Sequence, residues 1–104
     1  VFALTGSPGG TSIINYVTKS VIGLIDWGLN PSEVTQLPHY MNKGKFIELE
    51  KNTILENLKP DLESMGHKTK IMRKRSGLHI ALKKDDGFIG GADPRREGLV
   101  IPIN

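Results

Sequence analysis

Cysteine is missing from all 104 residues. Disulfides and thiolate metal sites are therefore excluded, and the redox compartment is left open. Aromatic residues make up only 6%, and none interleaves the basic run Lys68, Lys70, Arg73, Lys74 and Arg75. Single-strand nucleic-acid binders rely on such interleaving for base stacking. No apolar run approaches the ~20 residues of a membrane span; the best stretch, Ile13 to Ile25, is broken by Asn15, Lys19 and Ser20. Neither sign of charge dominates: the net charge of +3 does not by itself imply a polyanionic partner. The chain opens on Val1, inside an apolar run and without a signal-like segment, which points to a piece of something longer.

What is present is ordinary for a soluble globular protein, at 38% hydrophobic and 24% charged. The length predicts a single domain over residues 1–104, with a small core and little surplus stability. Val1 to Leu4 predicts a short buried strand. Ile13, Val17, Val21 and Leu24, with Ile14, Ile22 and Ile25 alongside, predict a helix with a wide apolar stripe, capped near Thr11 or Ser12 and closed by Gly28. Asn30-Pro31-Ser32-Glu33 predicts a second, short helix with a capping box and proline at its first position. A strand is expected within Lys45 to Glu50. A third helix begins at Thr53-Ile54-Leu55-Glu56, is kinked or split by Pro60 and ends at Gly66. His67 to Arg73 and Leu78 to Lys83 predict strands, and Asp86-Gly87 a hairpin to a return strand at Phe88 and Ile89. Gly90-Gly91 suggests a bulge or close packing. Ala92-Asp93-Pro94-Arg95-Arg96 leaves the sheet as a turn, and the apolar tail Leu99 to Ile103 adds an edge strand or packs on a missing partner.

The most informative segment is Thr5-Gly6-Ser7-Pro8-Gly9-Gly10, which joins the first strand to the first helix. A glycine-rich turn there offers bare N–H groups and the positive end of a helix to an anion, or to a group that becomes anionic during reaction. The same residues also make a plain sharp turn. A phosphate-binding loop would need lysine and a hydroxyl after its last glycine, but Thr11-Ser12 follow and the first lysine is Lys19. A hydrolase elbow at Ser7 would need glycine where Thr5 stands. It would also need a donor N–H on the next residue, and Pro8 has none. The adjacent amides of Gly9 and Gly10 remain as a candidate oxyanion hole, with no convincing nucleophile in the chain. The three histidines, His39, His67 and His79, lack ligand spacing. The carboxylate pairs Asp61/Glu63 and Asp85/Asp86 read as surface residues. No metal or cofactor is expected.

The order of the blocks adds more than any one of them. Leu4-Thr5-Gly6-Ser7-Pro8-Gly9-Gly10 is followed by Asp26-Trp27-Gly28-Leu29-Asn30, then Leu49-Glu50, then Leu62 to Lys68, and finally Gly90-Gly91-Ala92-Asp93-Pro94-Arg95-Arg96. Nearly end to end this resembles the C-terminal part of the small subunit of gamma-glutamyltranspeptidases. The resemblance implies an α+β fold: a fragment of the N-terminal-nucleophile hydrolase αββα sandwich, mostly antiparallel sheet packed with helices. It implies a self-cleaving precursor whose exposed threonine attacks gamma-glutamyl amides such as glutathione and passes the acyl group to water or an amino acid. Gly9 and Gly10 match the glycines that donate to the tetrahedral intermediate. The nucleophilic threonine, a substrate-binding serine pair and an acidic residue for the substrate's amino group lie upstream of the matched region. This fragment alone is therefore expected to be inactive. Leu37-Pro38-His39-Tyr40 stands where many members carry an Ala-Pro-Arg-Phe-like stretch, and Arg73 to Gly77 is unusually basic. The implied partners are the remainder of the large and small subunits and a gamma-glutamyl substrate, with self-association through exposed faces, and neither nucleic acid nor a membrane span in this segment. The family suggests a periplasmic or extracellular location. Two other readings stand beside this one: a non-catalytic association domain of the same fold, and a basic nucleic-acid-binding module through Lys68 to Arg75.

Overall fold

A computed structural model describes residues 2–42 and 44–101. The expectations for Val1, Pro102 and Ile103 lie outside the described residues. The chain divides into two compact units: residues up to Leu37 together with those from Arg75 onward, and Pro38–Lys74.

The first unit is built on an antiparallel sheet of β1 (Ala3–Gly6), β5 (His79–Lys84) and β6 (Gly87–Ala92), in the order β1-β5-β6. Registers Ala3↔Leu82 and Leu82↔Ile89 put Ala3, Thr5, Ile80, Leu82, Ile89 and Gly91 on one face. Helices α1 (Ile13–Ile25) and α2 (Pro31–Gln36) belong to this unit, and Leu24 and Val34 pack with Ile80 and Leu82 as its core. Burying each such side chain is worth about 1.5–3 kcal/mol. Two glycines set the approach distances. A Cβ on Gly91 would stand 2.5 Å from the Pro31 carbonyl, and one on Gly23 3.0 Å from Val34 Cγ2. The Gly90-Gly91 signal therefore marks close packing of β6 on the start of α2.

In this unit the expected elements are present with shifted bounds, and β6 continues to Ala92, the first residue of the expected turn. The first strand runs to Gly6 and so includes Thr5-Gly6. β5 starts at His79, leaving the fully buried Leu78 in irregular chain just before it. The α2 capping box is present: Glu33 N–H donates to Asn30 Oδ1 at 2.8 Å, and Asn30 N–H to Glu33 Oε1 at 3.0 Å. Gly28 takes φ +65° and Leu29 N–H closes onto the Gly23 carbonyl at 3.0 Å.

The stripe on α1 differs from its expected use. The buried face is Tyr16, Lys19, Ser20, Gly23 and Leu24, while Ile14 is 76% and Ile25 60% exposed, with Val21 and Ile22 also exposed. Small residues on this face let α1 approach its neighbours closely: Ser20 meets Thr5 of β1, and Gly23 meets Val34 of α2. On the opposite face of the sheet Leu4 and Phe88 are exposed, as are Leu99 and Ile101 of the tail. Exposed apolar faces of this kind mark interaction surfaces. Among the described tail residues, Val100 lies against Gly90, and 99–101 form no strand.

The second unit is a mixed sheet, β2 (Tyr40–Asn42), β3 (Ile47–Glu50) and β4 (Thr69–Met72), in that order. β2 pairs antiparallel and β4 parallel to β3. A parallel pair needs a crossover, supplied by a 3₁₀ turn at Ile54–Leu58 and helix α3 (Lys59–Ser64). Pro60 splits the third helix as expected, and Gly66 follows with φ +92°. Strand β2 has no counterpart among the sequence expectations. Lys74 departs from the solvated basic run: it is buried and ion-paired with the buried Glu48. The neighbouring Lys68, Lys70 and Arg73 are exposed.

Candidate functional site

The glycine turn lies between β1 and α1 in the first unit. Its floor is fixed by hydroxyls. Ser20 Oγ donates to the Val17 carbonyl at 2.6 Å, so Thr5 Oγ1 donates to Ser20 Oγ at 2.8 Å, tying the end of β1 to α1. Gly9 has φ +142° and ψ 15°, and Gly10 has φ +58°. The Gly9 conformation is open essentially to glycine alone, whereas Gly10 is in the left-handed region. Their backbone turns into the 3₁₀ segment Gly10–Ser12, whose Ser12 N–H bonds the Gly9 carbonyl at 3.0 Å, and α1 follows directly.

Both glycines are exposed, and among the described residues neither Gly9 N–H nor Gly10 N–H has a hydrogen-bond partner. Two adjacent unpaired donors at the positive end of a 13-residue helix can receive an anionic oxygen. The first turn of α1 carries no acidic residue to compete. Gly9 is also sterically locked, since a Cβ there would lie 2.7 Å from Cε2 of the buried Tyr16.

Ser7 takes a structural role. Its Oγ donates to the Pro8 carbonyl at 2.7 Å and accepts from Gly77 N–H at 3.0 Å. Among the described residues no base contacts its hydroxyl, whose proton is committed to the Pro8 carbonyl. A groove of about 1100 Å³ runs beside the loop on the open sheet face, lined in part by Leu4, Ser7, Pro8, His79 and Phe88. Gly9 and Gly10 stand outside its lining.

The Ala92-to-Arg96 block continues from the end of β6. Asp93 is 1% exposed. Its carboxylate accepts from Ser76 Oγ, from Leu78 N–H at 3.1 Å, and from Arg95 N–H and Nη1 at 3.0 Å each. Arg95 also donates to the carbonyls of Thr35 at 2.9 Å and Leu37 at 2.8 Å, closing the end of α2. The sequence reads this block as a turn and does not reveal the burial of Asp93; the arginine two residues after it is the available signal. Of the other candidates, His39 is buried, with its backbone N–H donating to Glu50 Oε1, His67 is exposed, and His79 Nδ1 donates to the Gly77 carbonyl. Among the described residues no group of three or more His, Asp or Glu could hold a metal ion. No described helix is long and apolar enough to cross a membrane.

A sheet with helices on one face and an open apolar second face is half of a layered sandwich, and comparison with known structures identifies it as an N-terminal-nucleophile hydrolase fold of the α+β class. A gamma-glutamyltranspeptidase from Pseudomonas nitroreducens superimposes with a TM-score of 0.85 over 100% of this chain and 56% of that one, at 14% identity, and so speaks for the fold alone. The family model described as Gamma-glutamyltranspeptidase matches residues 1–103, and the chain belongs to that family. It is 37% identical over 95 residues to the glutathione hydrolase proenzyme of Escherichia coli, covering 88% of this chain and 16% of that protein. It is 29% identical to the Helicobacter pylori gamma-glutamyltranspeptidase T380A mutant, with a TM-score of 0.80 over 92% of this chain and 55% of that one. The chain thus spans about a sixth of the curated relative's length.

Proposed function

We propose that this chain is the C-terminal portion of the small subunit of a gamma-glutamyltransferase or hydrolase acting on glutathione-like gamma-glutamyl amides. Gly9 and Gly10 are its oxyanion donors. The carrying observation is the pair of exposed amides at the start of α1, without a partner among the described residues and held by positive-φ glycines, in a chain similar to two curated glutathione hydrolase proenzymes. In this reading a threonine from outside the chain attacks the gamma-carbonyl. The developing oxyanion is received by the two N–H groups, and each donor is worth roughly 3–4 kcal/mol at the transition state. The acyl group then passes to water or an amine. The chain brings no nucleophile, so residues 1–104 alone show no turnover of a chromogenic gamma-glutamyl anilide, while the full-length protein does. Turnover by the isolated chain, or none by the full-length protein, overturns the reading.

The exposed faces bear on partners. Ile14 and Ile25 on α1 and Leu4 and Phe88 on the sheet await other layers of the same protein. Until covered they promote self-association of the isolated chain. Sedimentation velocity checks this, and a monodisperse monomer across the micromolar range counts against it.

A further inference from the structure

Four consecutive residues, 75–78, stand between the two blocks that define this chain, and every one is tied down. Arg96 Nε donates to the Arg75 carbonyl at 2.9 Å. Ser76 Oγ and Leu78 N–H donate to the buried Asp93 carboxylate. Gly77 donates its N–H to Ser7 Oγ at 3.0 Å and accepts from His79 Nδ1 at 3.0 Å. A Cβ on Gly77 would lie 2.9 Å from Arg96 Cδ and 3.0 Å from Pro8 Cδ. The segment is neither helix nor strand, yet Ser76, Gly77 and Leu78 are all buried. An irregular buried segment whose polar groups point alternately at two distant loops is a strut between them.

We propose that residues 75–78 position the Gly9–Gly10 amides, with Ser7 and Asp93 as positioning residues at its two ends. The inference rests on the oxyanion reading above and adds how the donors are aimed. Ser7 Oγ grips the strut on one side and the Pro8 carbonyl on the other, so the peptide entering Gly9 is referenced to Asp93 rather than to solvent. Two perturbations act on the same contact in different ways. Ser7→Ala deletes the bond to Gly77 N–H, whereas Gly77→Ala keeps the bond-forming groups and pushes Pro8 by contact. A misplacement of about 1 Å at a reacting group can lower rate up to about 10²-fold.

The test uses the full-length protein. Both variants are expected to lower kcat for a gamma-glutamyl anilide at least ~10-fold while KM changes less than ~3-fold, and Ser7→Thr recovers much of the rate. That kcat-against-KM split separates aiming from ground-state binding. Amide exchange followed by mass spectrometry supplies a readout free of activity. In Ser7→Ala the Gly77 amide and the Ser12 amide, which bonds to the Gly9 carbonyl, exchange faster. Wild-type kcat together with unchanged exchange at both amides overturns the strut. A wild-type protein with no turnover overturns the oxyanion reading instead, and the exchange result still decides whether the strut fixes the loop.

Discussion

Replacing Gly9 with alanine separates backbone conformation from mere smallness. Gly9 sits at φ +142°, and an added methyl meets Tyr16 Cε2 at 2.7 Å and Cδ2 at 3.2 Å. Tyr16 is 3% exposed, so its ring cannot swing into solvent without vacating its buried position. The disfavoured φ contributes roughly 1–3 kcal/mol and displacement of a packed ring roughly 1–3 kcal/mol more. Gly9→Ala is thus expected to destabilise by about 2–6 kcal/mol. Gly10 is the internal control. Its φ is +58° and nothing lies within 4 Å of where a methyl group would stand, so Gly10→Asn, a residue that accepts the left-handed region, is expected to lose under about 1 kcal/mol. Urea titration of the full-length protein, with the m-value monitored for loss of two-state behaviour, reads both. In whatever folds, Gly9→Ala lowers kcat ~10²-fold or more because the amide is re-aimed. Equal stability losses at the two glycines, or an unimpaired Gly9→Ala enzyme, would refute the steric argument.

Asp93→Ala removes the buried acceptor shared by the Ser76 hydroxyl, the Leu78 N–H and Arg95 Nη1; a loss of about 3–5 kcal/mol is expected by chemical denaturation. Lys74→Met leaves Glu48 buried and unpaired and is expected to lose a similar ~3–5 kcal/mol, most of it recovered when Glu48→Leu is added, since an apolar pair of like volume replaces the ion pair. A double-mutant cycle measures the coupling. Glu63 titrates below its ordinary value of 4.5, because Lys59 and then Thr69 donate to its carboxylate and the Lys59 charge favours the ionised form. A lowered folded-state pKa means that its contribution is complete above 4.5 and disappears as pH falls through the folded value. NMR titration should show Lys59→Gln moving Glu63 upward, and an unmoved resonance midpoint would contradict the assignment.

Local signals are readable in the residues wherever local physics decides the outcome. The α2 capping box, the Pro60 split and the positive-φ glycines at Gly28 and Gly66 follow from neighbouring residues alone. The glycine pair is legible for the same reason: few side chains could adopt those dihedrals. Properties that depend on distant chain are not. Which face of α1 is buried is decided by Gly23 against Val34 and by Ser20 beneath Thr5, and the exposed stripe looks like a core stripe until the layer beyond it is considered. Lys74 looks solvated because its partner Glu48 lies 26 residues away. Strand β2 is three residues long with only Met41 buried, too short for a period to show. The Asp93 cluster escapes a sequence reading because its donors converge through tertiary contact.

The pairing of β1 with β5 has a consequence for the order of events during synthesis. Ser7 and Gly77 are 70 positions apart, and closing so long a loop opposes the contact by about 4 kcal/mol of chain entropy. A nascent polypeptide emerging from the ribosome therefore lacks the Gly77 anchor of this turn until Gly77 has been translated. The Ser7–Gly77 bond can form only once the chain through Gly77 has cleared the exit tunnel. Any chemistry that needs those amides must wait for that moment.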